Sequence, residues 1–136
     1  MILCITHSND YYTVDIVIKR LKELGKEVCR FNSDDFSHQL NFDYTSNAEG
    51  TVVSMQAPDF SFSSKEIEAV WYRKLWGIKS PSELDTSFHK MYFQEYTTMR
   101  NLFFESLKNV PWMNPMNEDH EIGENKLEQL RLASES

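Results

Sequence analysis

Residues 2–31 read ILCITHSNDYYTVDIVIKRLKELGKEVCRF, and the order of patterns in this stretch decides the fold. Ile2-Leu3-Cys4-Ile5-Thr6 is a short unbroken run of the kind that forms a strand buried on both faces. His7-Ser8-Asn9-Asp10 follows, rich in helix-capping types, and Ser8 and Asp10 read as caps. Val14, Val17, Ile18, Leu21 and Leu24 then recur at helical spacing. Gly25 stands where a left-handed helix end belongs. Glu27 to Phe31 is a second strand. Strand, helix and strand in this order make a βαβ unit, which implies a parallel pair.

Moving outward, Leu40 to Tyr44 and Thr51 to Gln56 are short β-prone runs around the turn Asn47-Ala48-Glu49-Gly50, and they predict an antiparallel hairpin. Ser61 to Lys65 reads as polar loop, and Ala69-Val70-Trp71-Tyr72-Arg73 as a further strand. After the break at Ser80-Pro81-Ser82, a long helix runs from about Asp85 to Lys108. Phe88, Met91, Tyr92, Tyr96, Met99, Leu102 and Phe103 form its stripe, and Phe104 lies off it. Pro111 to Pro115 is a brief extended piece. From about Glu121 the pattern is helical again, with Ile122, Leu127, Leu130 and Ala133 apolar. The chain ends just after this helix without a cap, a pattern shared by longer proteins and by frayed natural termini. The fold class that follows is α/β: a mostly parallel sheet flanked by helices, with strands near 2–6, 27–31 and 69–73 side by side and a β-hairpin inserted.

The 136 residues suit one compact domain, and 40% hydrophobic with 13% aromatic residues supplies a core. A net charge of -7 argues against nucleic acid, which needs a basic face. Neither a signal peptide nor a run approaching the ~20 apolar residues of a membrane span is present. Cys4 and Cys29 read as buried reduced thiols of a cytosolic protein.

Chemistry-bearing motifs are sparse. The loop after the first strand, Thr6 to Tyr11, holds no glycine, so a phosphate cradle is not expected there. Asp34 and Asp35 follow the second strand, where an acid can hold a ribose in dinucleotide folds; without the glycines, a loop-and-cap role is the better reading. His7, His38, His89 and His120 show no metal spacing. Arg73 and Lys74 close a strand that should be buried. A buried unpaired charge is costly, so Arg73 is expected to pair with a carboxylate such as Asp34 or Asp35, or else to face a ligand.

Several segments together resemble the N-terminal part of ATP-grasp peptide ligases acting on ribosomally made precursors, the microviridin-type or graspetide maturases, including the grasp-with-spasm branch. Ile2 to Asp10 is similar to that family's first strand and polar loop. Arg30-Phe31-Asn32-Ser33-Asp34-Asp35-Phe36 resembles its Arg-Phe-acid-Thr-Asp segment, with Asn32 in place of the acid. Ala69-Val70-Trp71-Tyr72-Arg73-Lys74 resembles its Val-Trp-Tyr-Arg-Arg strand. Trp112-Met113-Asn114-Pro115 and Glu124 to Ala133 look like the approach to its ATP-grasp core.

The resemblance implies a Rossmann-like pre-ATP-grasp domain over residues 1–115, with 116–136 a helix leading into a core that lies elsewhere. It implies that the complete enzyme uses ATP and Mg to turn a side-chain carboxylate of a precursor peptide into an acyl phosphate. An amine or hydroxyl of the same peptide then attacks it, giving a lactam or lactone. Lys126 matches a lysine that approaches the nucleotide phosphates, and Arg73 and Asp34 are the candidates for substrate binding. Residues 1–136 alone are expected neither to hold a cofactor nor to turn over ATP. A homodimer through the helix at about 86–108 is expected. Two other readings stand beside this one: a dimerisation or docking module without a ligand, and the N-domain of a glutathione-synthetase-like carboxylate–amine ligase.

Overall fold

The computed structural model describes residues 1–35, 40–58, 60–115, 130, 131, 133 and 134. Its elements are β1 (Ile2–Thr6), α1 (Thr13–Glu23), β2 (Val28–Asn32), β3 (Asn41–Asn47), β4 (Gly50–Ala57), β5 (Phe60–Ser63), β6 (Ala69–Tyr72), α2 (His89–Ser106) and β7 (Trp112–Met113). One sheet is parallel, in the order β2-β1-β6-β7, and the other is antiparallel, β3-β4-β5. The three strands expected side by side are neighbours, and the extended piece before Pro115 joins them as the edge strand β7. No described helix is long and apolar enough to cross a membrane.

Register explains how the parallel sheet is covered. Leu3 aligns with Cys29 and Val70, and Ile5 with Phe31 and Tyr72. Because side chains alternate across a strand, these residues share one face with Trp112, the partner of Val70. They pack with Phe103 and Phe104 of α2, with Leu107 just after it, and with Val53, Met55 and Phe62 of the antiparallel sheet as one core. Phe103 touches Phe31 and Phe62 at ring-centroid distances of 5.8 and 5.5 Å. Each such ring, fully buried, contributes about 1.5–3 kcal/mol. Ile2, Cys4, Arg30, Ala69, Trp71 and Met113 occupy the opposite face, toward α1. Cys4 is fully buried there, while Cys29 is only partly buried.

Three expectations are corrected. The segment 61–65, read as polar loop, begins as strand β5, paired to β4. Its Phe-Ser-Phe-Ser alternation is that of a half-buried strand, with Phe62 inside. Ser63 then caps a single 3-10 turn at Ser64–Glu66 in a reciprocal capping box. The long helix is shorter than expected and is preceded by a 3-10 turn at Thr86–Phe88, capped by Asp85. Phe104 is 4% exposed and lies 6.2 Å from both Phe31 and Trp112. It is therefore core, and the exposed apolar part of this region is its N-terminal end, at Phe88, Met91 and Phe93. The helix expected from about Glu121, His38 and His120, and Lys126 lie outside the described residues, apart from the helical residues Leu130, Arg131, Ala133 and Ser134.

Candidate functional site

The chain leaves β1 through α1 to reach β2 on one side, whereas β6 pairs on the other side. Strand order therefore reverses between β1 and β6. In an open α/β sheet the carboxyl ends of the strands at such a reversal form the ligand crevice. Three segments meet there: residues 7–12 after β1, 33–35 after β2, and 73–79 after β6.

The first segment is held by side chains instead of by a helix cap. Thr6 Oγ1 donates to Asp10, and Arg30, reaching up from β2, donates to the carbonyls of His7 and Asp10 at 3.1 and 2.7 Å. Arg30 also donates to Asp15 of α1 at 3.1 Å. Ser8 and Asp10 are not caps of α1. The residue before that helix is Tyr12, which makes no side-chain cap bond. Tyr12 has φ 64 and ψ -75, and Thr13 N donates to Tyr11 O at 2.8 Å, which is a γ-turn of the strained, positive-φ kind.

Arg73 pairs with Asp10, not with Asp34 or Asp35. The bond is bidentate, Nε to Oδ2 at 2.5 Å and Nη2 to Oδ1 at 3.1 Å. Planar two-point recognition of this type suits arginine. Burial opposes the charge on Asp10, but the hydrogen bonds from Arg73 and Thr6 outweigh it and hold the carboxyl below its ordinary value. Asp10 was missed because the strand end and the loop it joins meet only in the folded sheet.

Asp34 is 0% exposed. Its Oδ1 accepts from Ser8 N at 2.8 Å, and its Oδ2 accepts from Ser8 Oγ at 2.7 Å and Lys79 Nζ at 2.8 Å. Burial again opposes the charge, and the bonds from Lys79 and Ser8 again win, lowering the pKa. The same pair raises the pKa of Lys79. The Ser8 amide, where a glycine-rich loop would present donors to phosphate, thus already faces a carboxylate. A nucleotide phosphate at this point would meet an anion, so the crevice does not fit one.

Sequence reading also missed His7, Trp76, Lys79 and Arg100. His7 stacks on Trp76 with centroids 3.6 Å apart and planes 5° from parallel, and its buried Nδ1 has no partner among the described residues. Trp76 N donates to Ser33 Oγ at 3.0 Å, and Lys74 lies 5.9 Å above the indole. Arg100, from α2, donates to the carbonyl of Trp76 at 3.2 Å. An arginine inside an apolar helix stripe was the one local signal for it. Among the described residues, no three histidine, cysteine, aspartate or glutamate side chains come together as a metal ion requires. The Cys4 thiol is pushed up to about 12 by burial, which makes it a poor nucleophile.

Comparison with curated protein sequences yields no match. Among solved structures, macrocyclase MdnB from Microcystis aeruginosa MRC aligns with a TM-score of 0.86 at 28% identity, over 98% of this chain and 43% of its own. Macrocyclase MdnC of the same organism, bound with precursor peptide MdnA, gives 0.81 at 27% identity, over 98% and 43%. A Chryseobacterium gregarium RiPP-associated ATP-grasp ligase, in complex with ADP and a leader and core peptide, gives 0.78 at 28% identity, over 98% and 40%. The chain spans less than half the length of each. Residues 1–120 match the family model described as the MvdD pre-ATP grasp domain. With the parallel sheet, the inserted antiparallel strands and this match over most of its length, the chain belongs to the MvdD pre-ATP-grasp domain family.

Proposed function

We propose that this chain is the N-terminal domain of an ATP-dependent ligase that cross-links side chains of a ribosomally made precursor peptide, as a lactam or lactone. The observation that carries the reading is the family match over residues 1–120. In it, ATP and Mg activate a precursor carboxylate in a catalytic core outside this domain, which is a chemistry of positioning and charge stabilisation. The domain's own part is to present a shaped, charged crevice to the peptide. Arg73 faces the peptide, and Asp34 serves by fixing Lys79 and Ser8 at the rim. Residues 1–115 make up the domain and 116–136 lead into the core, where Lys126 meets nucleotide phosphate. The protein works in the cytoplasm.

The test is to incubate the complete enzyme with its candidate precursor, ATP and Mg and to weigh the peptide. Loss of one water per ring is expected, and a peptide of unchanged mass under conditions that consume ATP rejects the reading. Lys126→Ala is expected to raise the KM for ATP without touching that for peptide.

Self-association belongs to the same proposal, with a two-fold dimer the expected form. Phe88, Met91 and Phe93 are each exposed around the start of α2, and they support a contact in that region in place of one at Phe104. A monomer by light scattering at tens of micromolar, for this chain and for the complete enzyme, removes it.

A further inference from the structure

Arg100 is 8% exposed, one turn before Phe103 on the core side of α2. Its situation differs from that of the other crevice arginines. Arg30 has Asp15 and Arg73 has Asp10. No carboxylate is paired with Arg100 among the described residues, and burial pushes its pKa down. Its Nη1 donates to the carbonyl of Ser33 at 3.4 Å and to that of Trp76 at 3.2 Å, and its buried Nε has no partner among the described residues. A charge kept here without a counter-ion costs stability, and an unbranched apolar side chain would fill the same place on an apolar stripe. What the guanidinium supplies instead is one nitrogen, Nη1, that joins two carbonyls, one after β2 and one after β6.

Both carbonyls belong to the crevice. The second lies in the middle of 73–79, a segment without regular structure that carries Arg73, Lys74 and Lys79. Beyond its root, where the amides of Arg73 and Lys74 donate to the Ile5 carbonyl, this segment is tied to the 33–34 turn at three points. Trp76 N donates to Ser33 Oγ, Lys79 N donates to Asp34 O at 3.1 Å, and Lys79 Nζ pairs with Asp34. Arg100 bonds to both sides of that seam from beneath. We propose that Arg100 is a positioning residue for peptide recognition: it fixes residues 73–79 in the shape that sets Arg73 and Lys79 toward the peptide. This rests on the reading of the crevice as peptide-facing.

The experiment compares Arg100→Met, Arg100→Lys and Arg73→Gln in the complete ligase. It measures peptide KM, ATP KM, kcat, thermal midpoint and amide hydrogen exchange over residues 74–79. For Arg100→Met the expected result is an unchanged or raised thermal midpoint and faster exchange at 74–79. Peptide KM should rise on the order of ten-fold with kcat and ATP KM near wild type, since small misplacements of contact groups weaken binding and transition-state alignment steeply. Arg100→Lys, which keeps one donor, should recover part of the peptide KM. A lowered midpoint with wild-type peptide KM would mark Arg100 as merely structural and overturn the proposal, as would wild-type exchange at 74–79. If Arg100→Met fails to fold, Arg100→Lys decides on the same two readouts. An unaltered peptide KM in Arg73→Gln removes the peptide-facing reading and the proposal with it. A defect in Arg73→Gln beside an unaltered Arg100→Met removes the positioning role alone.

Discussion

The two faces of the parallel sheet are built differently. One carries Leu3, Ile5, Phe31, Val70 and Tyr72, all buried beneath α2 and the antiparallel sheet. The other is covered by α1 over its β1–β2 half, while Ile2, Val17, Leu21, Ala69, Trp71 and Met113 line a groove of about 530 Å³ over the rest. A parallel sheet is ordinarily buried on both faces. Among the described residues the apolar core therefore lies chiefly on one side, and the crevice at the strand ends is set by polar ties instead of by packing. Variants placed on the two sides should separate these contributions.

The largest effect is expected at Phe103, fully buried at the junction of both sheets and α2. Phe103→Ala should cost about 3–5 kcal/mol of unfolding free energy, measured by urea titration. A loss below ~1 kcal/mol would mean that the sealed face is not the main source of stability.

Next come the crevice ties. Asp34→Asn removes the charge that accepts from Ser8 and Lys79, and such charged hydrogen bonds are worth about 1.5–3 kcal/mol. The pH dependence has a definite sign. Asp10 and Asp34 both have folded pKa values below the ordinary one. Their contribution is complete above the unfolded carboxyl value of ~3.9 and is lost as pH falls through the lower folded values. Urea midpoints taken from neutral pH downward should fall more shallowly in Asp34→Asn than in wild type. Parallel acid limbs would show that the pair is not coupled to folding.

These two regions were also unequally legible in the sequence. The strands of the parallel sheet declare themselves because continuous apolar runs have few other uses, and α1 because its stripe has one period. β5 escaped because serine at every second position looks like loop when read singly. The partner of Arg73 escaped for a deeper reason. Asp10 lies sixty-three residues away, and nothing local distinguishes it from a helix cap. Lys79 and Trp76 sit in a segment without periodicity, so only the folded crevice explains them. Phe104 looked surplus to its stripe because the stripe was judged against one sheet, whereas α2 packs against two.

A smaller effect is expected where α1 ends. Gly25 has φ 75, and a Cβ there meets no neighbouring atom within 4 Å. The cost of Gly25→Ala is then backbone strain alone, about 1–2 kcal/mol. A neutral result in thermal unfolding would mean that the turn after α1 relaxes freely.

The smallest effect is expected at Met113 of β7, a strand whose two residues take opposite faces. Trp112 belongs to the sealed side, with its ring 6.2 Å from Phe104 and its Nε1 donating to Leu107 O at 2.9 Å. Met113, 66% exposed, stands on the groove side, although Trp112 also borders that groove. Trp112→Ala should therefore cost clearly more than the change at Met113, though less than Phe103→Ala, because Trp112 is only half-buried. Met113→Ser should stay within about 0.5 kcal/mol, as surface changes do. The pair controls for strand pairing, since both variants keep the backbone of the same two-residue strand and its bonds to β6. Equal costs at the two positions would mean that the strand's pairing matters more than the face its side chains meet, and the contrast between the faces would then fail at this edge of the sheet. A large loss at Met113 alone would show the groove to be filled in solution, because an exposed methionine has little packing to lose.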